Sequence, residues 1–175
     1  MTIGFRIRKI RNFRDITQKE LGIKCGYSEE SADVCIRQYE NDKKIPRDDK
    51  LRIISETLGI SYSVFKPESI KHEFIQNLFW FEEMFGDIDV FPFEIINIKP
   101  ETNPEFDWEY KAIYNRANEG RMISDIPIGL NFNDYEINEY IRGWMKKKQE
   151  LQNGLITEEQ YFEWKINWPE SASEK

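Results

Sequence analysis

Residues 16–41 read ITQKELGIKCGYSEESADVCIRQYEN, and this run decides how the first third of the chain folds. Thr17 followed three residues later by Glu20 is the signature of a capping box, in which the two residues satisfy each other's backbone N–H groups at a helix start. Leu21 is the inward anchor of that helix, Gly22 lets a neighbouring helix approach closely, and Gly26 can take the left-handed conformation that stops it. A further helix is expected over SADVCIRQYEN, with Ile36 and Tyr39 turned inward. Between the two helices lies a turn containing Glu29 and Glu30, which favour the positive end of the helix that follows.

The flanking segments extend the same pattern. IGFRIRKIRNFRD places Ile3, Ile7 and Ile10 on one helical face. Arg6, Arg8, Lys9, Arg11 and Arg14 occupy the others and read as a solvated, charged face. RDDKLRIISETLG aligns Leu51, Ile54 and Leu58 and stops at Gly59, and SYSVF is a short fifth helix anchored by Val64 and Phe65. Five short helices with tight connections make an all-α unit over residues 1–66.

RIRKIRNFRDITQKEL, GYS, IRQYENDKKIP and LRIISETLGISYSVF, in that order, resemble the phage-repressor and Cro-like (XRE) helix-turn-helix family over residues 3–65. The resemblance implies that the second helix lies across a DNA backbone while the third enters the major groove. Two departures stand out. The turn before the third helix is about four residues longer than the family pattern, and Asp42 stands where glycine is usual; Asp tolerates a left-handed backbone better than most residues. Counting back from Glu40 assigns base reading to Asp33, Val34, Arg37 and Gln38, with Ala32 beside them. Asp33 suits either the positive end of its own helix or cytosine N4, Gln38 adenine, Arg37 guanine or a phosphate, and Val34 a thymine methyl. Thr17 and Gln18, at the start of the second helix, are assigned to phosphates. So are Asn41, Lys43, Lys44 and Arg47, which follow the reading helix and would fix register.

Beyond Pro67 the composition changes. Residues 1–65 carry 13 Lys+Arg against 10 Asp+Glu, a balance of +3, whereas residues 66–175 carry 12 against 22, a balance of −10. A mildly basic head on an acidic body suggests two surfaces with two kinds of partner. Residues 67–175 are therefore read as an acidic, aromatic-rich partner-binding or dimerisation domain, α+β or mostly helical. SIKHEFIQNLFWFEEMFG reads as a helix with Ile70, Phe74, Leu78, Phe81 and Phe85 as its apolar stripe, widened by Phe79 and Trp80. IDVFPFEIINIKP suits one or two strands, ETNPEFDWEY a loop opening a helix or strand, and ISDIPIGLNF a further extended piece. A helix beginning near Asp134 should break at Gly154, and Thr157 with Gln160 is a second capping box that opens a final helix. LFWFEEMFG and LQNGLITEEQYFEWKINWP resemble the C-terminal extensions of repressor-like proteins from mobile elements of low-GC Gram-positive bacteria, a likeness that implies no activity.

No HExxH, P-loop, GxSxG or GxGxxG motif occurs, so no enzyme and no cofactor are expected. Cys25 and Cys35 fit neither a disulfide framework nor a zinc pattern and read as buried, reduced thiols. His72 reads as a hydrogen-bonding residue at a domain seam. No apolar run reaches spanning length and no leader is apparent, which predicts a cytoplasmic protein without a membrane. The leading expectation is a transcriptional repressor that binds double-stranded DNA as a homodimer on an inverted repeat. The alternative is a mobile-element protein whose acidic body inhibits a basic nuclease, as anti-CRISPR proteins inhibit Cas9, while its head autoregulates. In that reading Glu101, Glu105, Phe106, Asp107, Trp108 and Glu109 imitate a nucleic-acid backbone.

Overall fold

The computed structural model describes residues 1–86, 94–98, 109–113 and 134–172, and the chain is mainly helical. Four α-helices precede residue 60: α1 (Ile3–Phe13), α2 (Gln18–Lys24), α3 (Ala32–Glu40) and α4 (Asp48–Leu58). The expected fifth helix is a single 3-10 turn, Tyr62–Val64, capped by the Ser61 hydroxyl. Then come α5 (Ile70–Phe85), an antiparallel pair β1 (Glu94–Ile98) and β2 (Glu109–Ile113), α6 (Tyr135–Gln152) and α7 (Glu158–Ile166). Among the described residues no helix is long and apolar enough to cross a membrane. ISDIPIGLNF lies outside the described residues.

Local chemistry sets the helix ends. Thr17 and Glu20 form the expected capping box, and Thr157 and Gln160 form the second. Asp134 caps α6 by accepting the Ile137 N–H at 3.1 Å. Asp42 takes φ 56°, the left-handed turn that its position after α3 requires.

Two glycines set the position of α3. A Cβ on Gly22 would lie 2.5 Å from the Ala32 carbonyl oxygen, and one on Gly4 would lie 2.2 Å from that of Tyr39. α2 and α1 therefore press directly onto opposite ends of α3. Ala32 is fully buried in this contact, so it does not stand beside the base-reading positions as the sequence had suggested.

The first core gathers Ile7, Ile10, Leu21, Ile36, Leu51, Ile54, Leu58 and Val64, and it also takes Trp80, Phe162 and Ile166 from beyond residue 66. The second packs Ile75 and Phe79 of α5 against Trp144 of α6, Tyr161 and Trp164 of α7, and Trp168. Phe79 lies 5.3 Å from the Trp144 and Trp164 rings and 5.8 Å from that of Trp168. Each such side chain contributes about 1.5–3 kcal/mol by leaving water.

This arrangement corrects the stripe expected on α5, of which Phe74 and Leu78 do pack, partly buried, against the second core. Its buried residues are Ile75, Gln76, Phe79 and Trp80, whereas Ile70, Phe81 and Phe85 are exposed. The cause is that α5 lies between two cores. Trp80 faces the first and Phe79 the second, and adjacent positions serve opposite layers. A one-sided stripe describes only a helix with one buried face.

The cations of α1 are also not the solvated face that their density suggested. Arg6 is buried; it donates to the Val64 carbonyl at 2.6 Å and to Asn77 Oδ1 at 3.0 Å. Burial holds its guanidinium down to about 10, with Glu73 opposing the shift. Arg14 grips Glu163 of α7 at 2.5 and 2.8 Å while donating to the carbonyls of Leu58 and Gly59. Lys9 pairs with Glu83 of α5 at 3.1 Å. The charges of α1 are joints.

Candidate nucleic-acid interface

α3 is held from beneath by a buried carboxylate. The side chain of Glu40 is fully enclosed and accepts from Arg11 Nε at 2.6 Å, Arg11 Nη2 at 3.2 Å and Gln18 Nε2 at 2.6 Å, with Arg8 Nε 3.5 Å away. One carboxylate thus ties α3 to α1 and α2. Ile36 fills the core below, and the Tyr39 hydroxyl meets that of Tyr27 at 2.9 Å. Burial and the Tyr39 partner push the Tyr27 hydroxyl well above its ordinary value, and Lys50 sits 4.8 Å over its ring.

The opposite face of α3 is open. The Arg37 side chain is 54% exposed and that of Asp33 43%, with the two charged ends 4.0 Å apart. Val34 and Gln38 are half-buried on the same helix. Four residues assigned to base reading therefore share the outer side of a helix whose inner side is locked. Among the described residues the hydrogen bonds and ion pairs from α5 and α7 to the head fall elsewhere, on Arg6, Lys9, Arg14, Ser61 and Ser63.

The assigned phosphate contacts divide into two groups. Lys43, Lys44 and Arg47 are exposed in the loop after α3, and the Gln38 carbonyl accepts both lysine N–H groups, at 2.9 and 3.2 Å. That double bond folds the loop back over the end of α3. Thr17, Gln18 and Asn41 already have protein partners. The Thr17 N–H donates to Glu20 at 2.7 Å, Gln18 gives one amide N–H to Glu40, and Asn41 Oδ1 accepts from Arg8 at 2.6 Å. Gln18 keeps a second amide N–H, and the Asn41 amide keeps both of its own.

Ser31 and Ala32 both donate to the Ser28 carbonyl, at 3.0 and 2.9 Å, so the lengthened turn is wound as a helical lead-in to α3. Glu29 and Glu30 are exposed on it, and Glu29 lies 3.8 Å from Lys19 of α2. Sequence reasoning passed over Lys19 and Arg8. Lys19 carried no family signal, and Arg8 was absorbed into the supposedly solvated face of α1.

A second polar centre lies between α1, α5, α6 and α7. Glu82 accepts from Lys148 at 2.7 Å, from Lys165 at 3.0 Å and from the Tyr161 hydroxyl at 2.9 Å, while Trp144 Nε1 donates to that hydroxyl at 2.6 Å. Lys165 also pairs with Glu83. Burial works to raise the Glu82 carboxyl, but the lysines overcome it and hold it below its ordinary value. A cavity of about 610 Å³ opens beside this cluster. With each of these charges opposed by another, the cluster reads as a joint.

His72 bridges α5 and α6, its Nε2 lying 3.2 Å from the Tyr140 hydroxyl. Cys25 is buried and Cys35 half-buried, both as free thiols. Glu101, Glu105, Phe106, Asp107 and Trp108 lie outside the described residues, and Glu109 pairs with Ile98 at the end of the β1–β2 register. Compared with models of known families and with curated proteins, the chain matches none.

Proposed function

We propose that this chain binds double-stranded DNA as a sequence-specific transcriptional regulator, with α3 laid in the major groove and α2 across the backbone. The observation that carries this reading is the two-sided character of α3. Glu40 and Ile36 fix its inner side, while Arg37, Asp33, Val34 and Gln38 are presented outward beside the exposed cations Lys43, Lys44 and Arg47. That is the division of labour a reading helix needs, with base contacts on the helix and phosphate contacts after it. A head with a net charge of only +3 gives weak non-specific attraction. Two copies on an inverted repeat supply the remaining affinity.

The test is selection of duplexes by the full chain from a random-sequence pool, followed by binding titrations. The chain should enrich a defined sequence, and Arg37→Ala and Gln38→Ala should each weaken binding to it by roughly 1–3 kcal/mol. Failure to enrich any duplex at low salt would overturn the reading.

A further inference from the structure

The surface assigned to DNA has a feature that the functional reading does not require. Residues 17–47, which hold α2, the turn, α3 and the following loop, carry six Lys+Arg and six Asp+Glu, a net charge of zero. Two of those cations face carboxylates of the same surface. Arg37 has Asp33 at 4.0 Å, one helical turn back, and Lys19 has Glu29 at 3.8 Å across the lengthened turn. All four side chains are between 43% and 80% exposed, so neither pair is held by burial and either opens at little cost. Glu40 and Glu20 are different, because one is enclosed among Arg11, Arg8 and Gln18 and the other is engaged in the cap of α2. Glu29 and Asp33 are not enclosed in this way: Ser31, the residue before α3, makes no side-chain cap, and Asp33, in the first turn of α3, makes an exposed ion pair.

We propose that Glu29 and Asp33 are specificity residues that act by competition. They hold Lys19 and Arg37 in the free protein and repel phosphates that approach without the right bases. This inference rests on the DNA-binding reading. The physical argument is a difference of affinities. A carboxylate at a phosphate-lined surface weakens all binding that comes from charge alone, and correct base contacts recover what it takes away. On a wrong sequence Arg37 remains with Asp33 and Lys19 with Glu29. On the right one Arg37 exchanges Asp33 for a base edge or phosphate, and Asp33 becomes free to accept from a cytosine N4. The lengthened turn is what brings Glu29 within reach of Lys19.

The experiment uses the full chain with Glu29→Gln and Asp33→Asn, singly and together, which keep shape and remove charge. Binding is titrated across salt concentrations on a short mixed-sequence duplex and on the sequence enriched by selection. The double variant should bind the mixed duplex roughly tenfold tighter, its log–log salt slope steeper by about one for each cation released. Its preference for the enriched sequence should fall by a similar factor. Glu56→Gln removes one exposed charge beside the groove lined by Asn167 and Glu170, and should change neither quantity. Unchanged affinity and slope in the double variant, or an equal gain from Glu56→Gln, would overturn the proposal while leaving DNA binding intact. Absence of binding to any duplex by wild type and variants alike would instead overturn the functional reading, and this inference with it.

Discussion

At the scale of single residues, a buried carboxylate, Glu40, and a largely enclosed one, Glu82, organise the described part of the chain. Glu40 gathers Arg11, Arg8 and Gln18 under α3, and Glu82 gathers Lys148, Lys165 and Tyr161 between α5, α6 and α7. Removing one member of such a group leaves the others buried without compensation, which costs more than the group contributed when intact. Glu82 gives this a pH dependence. Its folded value lies below the ordinary 4.5, so its contribution is complete above that value and is lost as pH falls through the folded one. Urea unfolding of wild type and Glu82→Gln at pH 7 and in mild acid checks the point. The variant should be less stable by about 3 kcal/mol at pH 7, and the gap should narrow as the solution is acidified. A constant gap would mean that Glu82 acts by shape alone. In the sequence Glu40 served only to count positions back along α3, whereas the caps at Thr17, Thr157 and Asp134 were legible because each is a short-range pattern. Gly4 was not, since its contact is with Tyr39, 35 positions along the chain.

At the scale of elements, what could be read depended on how many sides of a helix are buried. α4 buries Leu51, Ile54 and Leu58 on one face, and its stripe was plain. α5 and α7 each serve two cores. On α7, Phe162 and Ile166 join the first, Tyr161 and Trp164 the second, and Lys165 is buried beside them. No single period describes such a helix, which is why counting along α5 put Phe81 and Phe85 on the stripe and Phe79 only at its margin. The same logic explains α1: the polar side chains expected to face water instead reach α3, α5 and α7. The corrected α5 makes a sharp prediction. Phe79→Ala should cost about 3–5 kcal/mol, whereas Phe81→Ala should stay within about 0.5 kcal/mol, both measured by chemical denaturation. Equal losses would restore the stripe read from the sequence.

At the scale of the whole molecule, the question is whether the head and the helices after residue 66 unfold as one. Their contacts are of several kinds: Trp80, Phe162 and Ile166 lie in the first core, Arg14 is bound to Glu163, and the Ser61 N–H donates to the Ile166 carbonyl at 3.2 Å. The Ser63 hydroxyl donates to the Trp168 carbonyl at 2.6 Å, and the Gln76 amide donates to the same oxygen at 3.2 Å. Pulling the two parts apart would expose apolar surface on both and strand Arg6 without Asn77, so a half-folded state has little to stabilise it. The chain carries its own reporters for the test. All five tryptophans lie beyond residue 66, so their fluorescence arises in the later part of the chain, with Trp80 alone packed against Phe5 and Arg6 of the head among the described ones. Cys25 is buried in the head, where desolvation raises its thiol and slows its reaction with a disulfide reagent. In a Cys35→Ser background, which removes the half-buried thiol, Cys25 reactivity and tryptophan fluorescence should change at the same denaturant concentration, as a single cooperative transition requires. If Cys25 became reactive while the fluorescence was still native, the head would be opening on its own, and the joints along α1 would not couple it to α5 and α7.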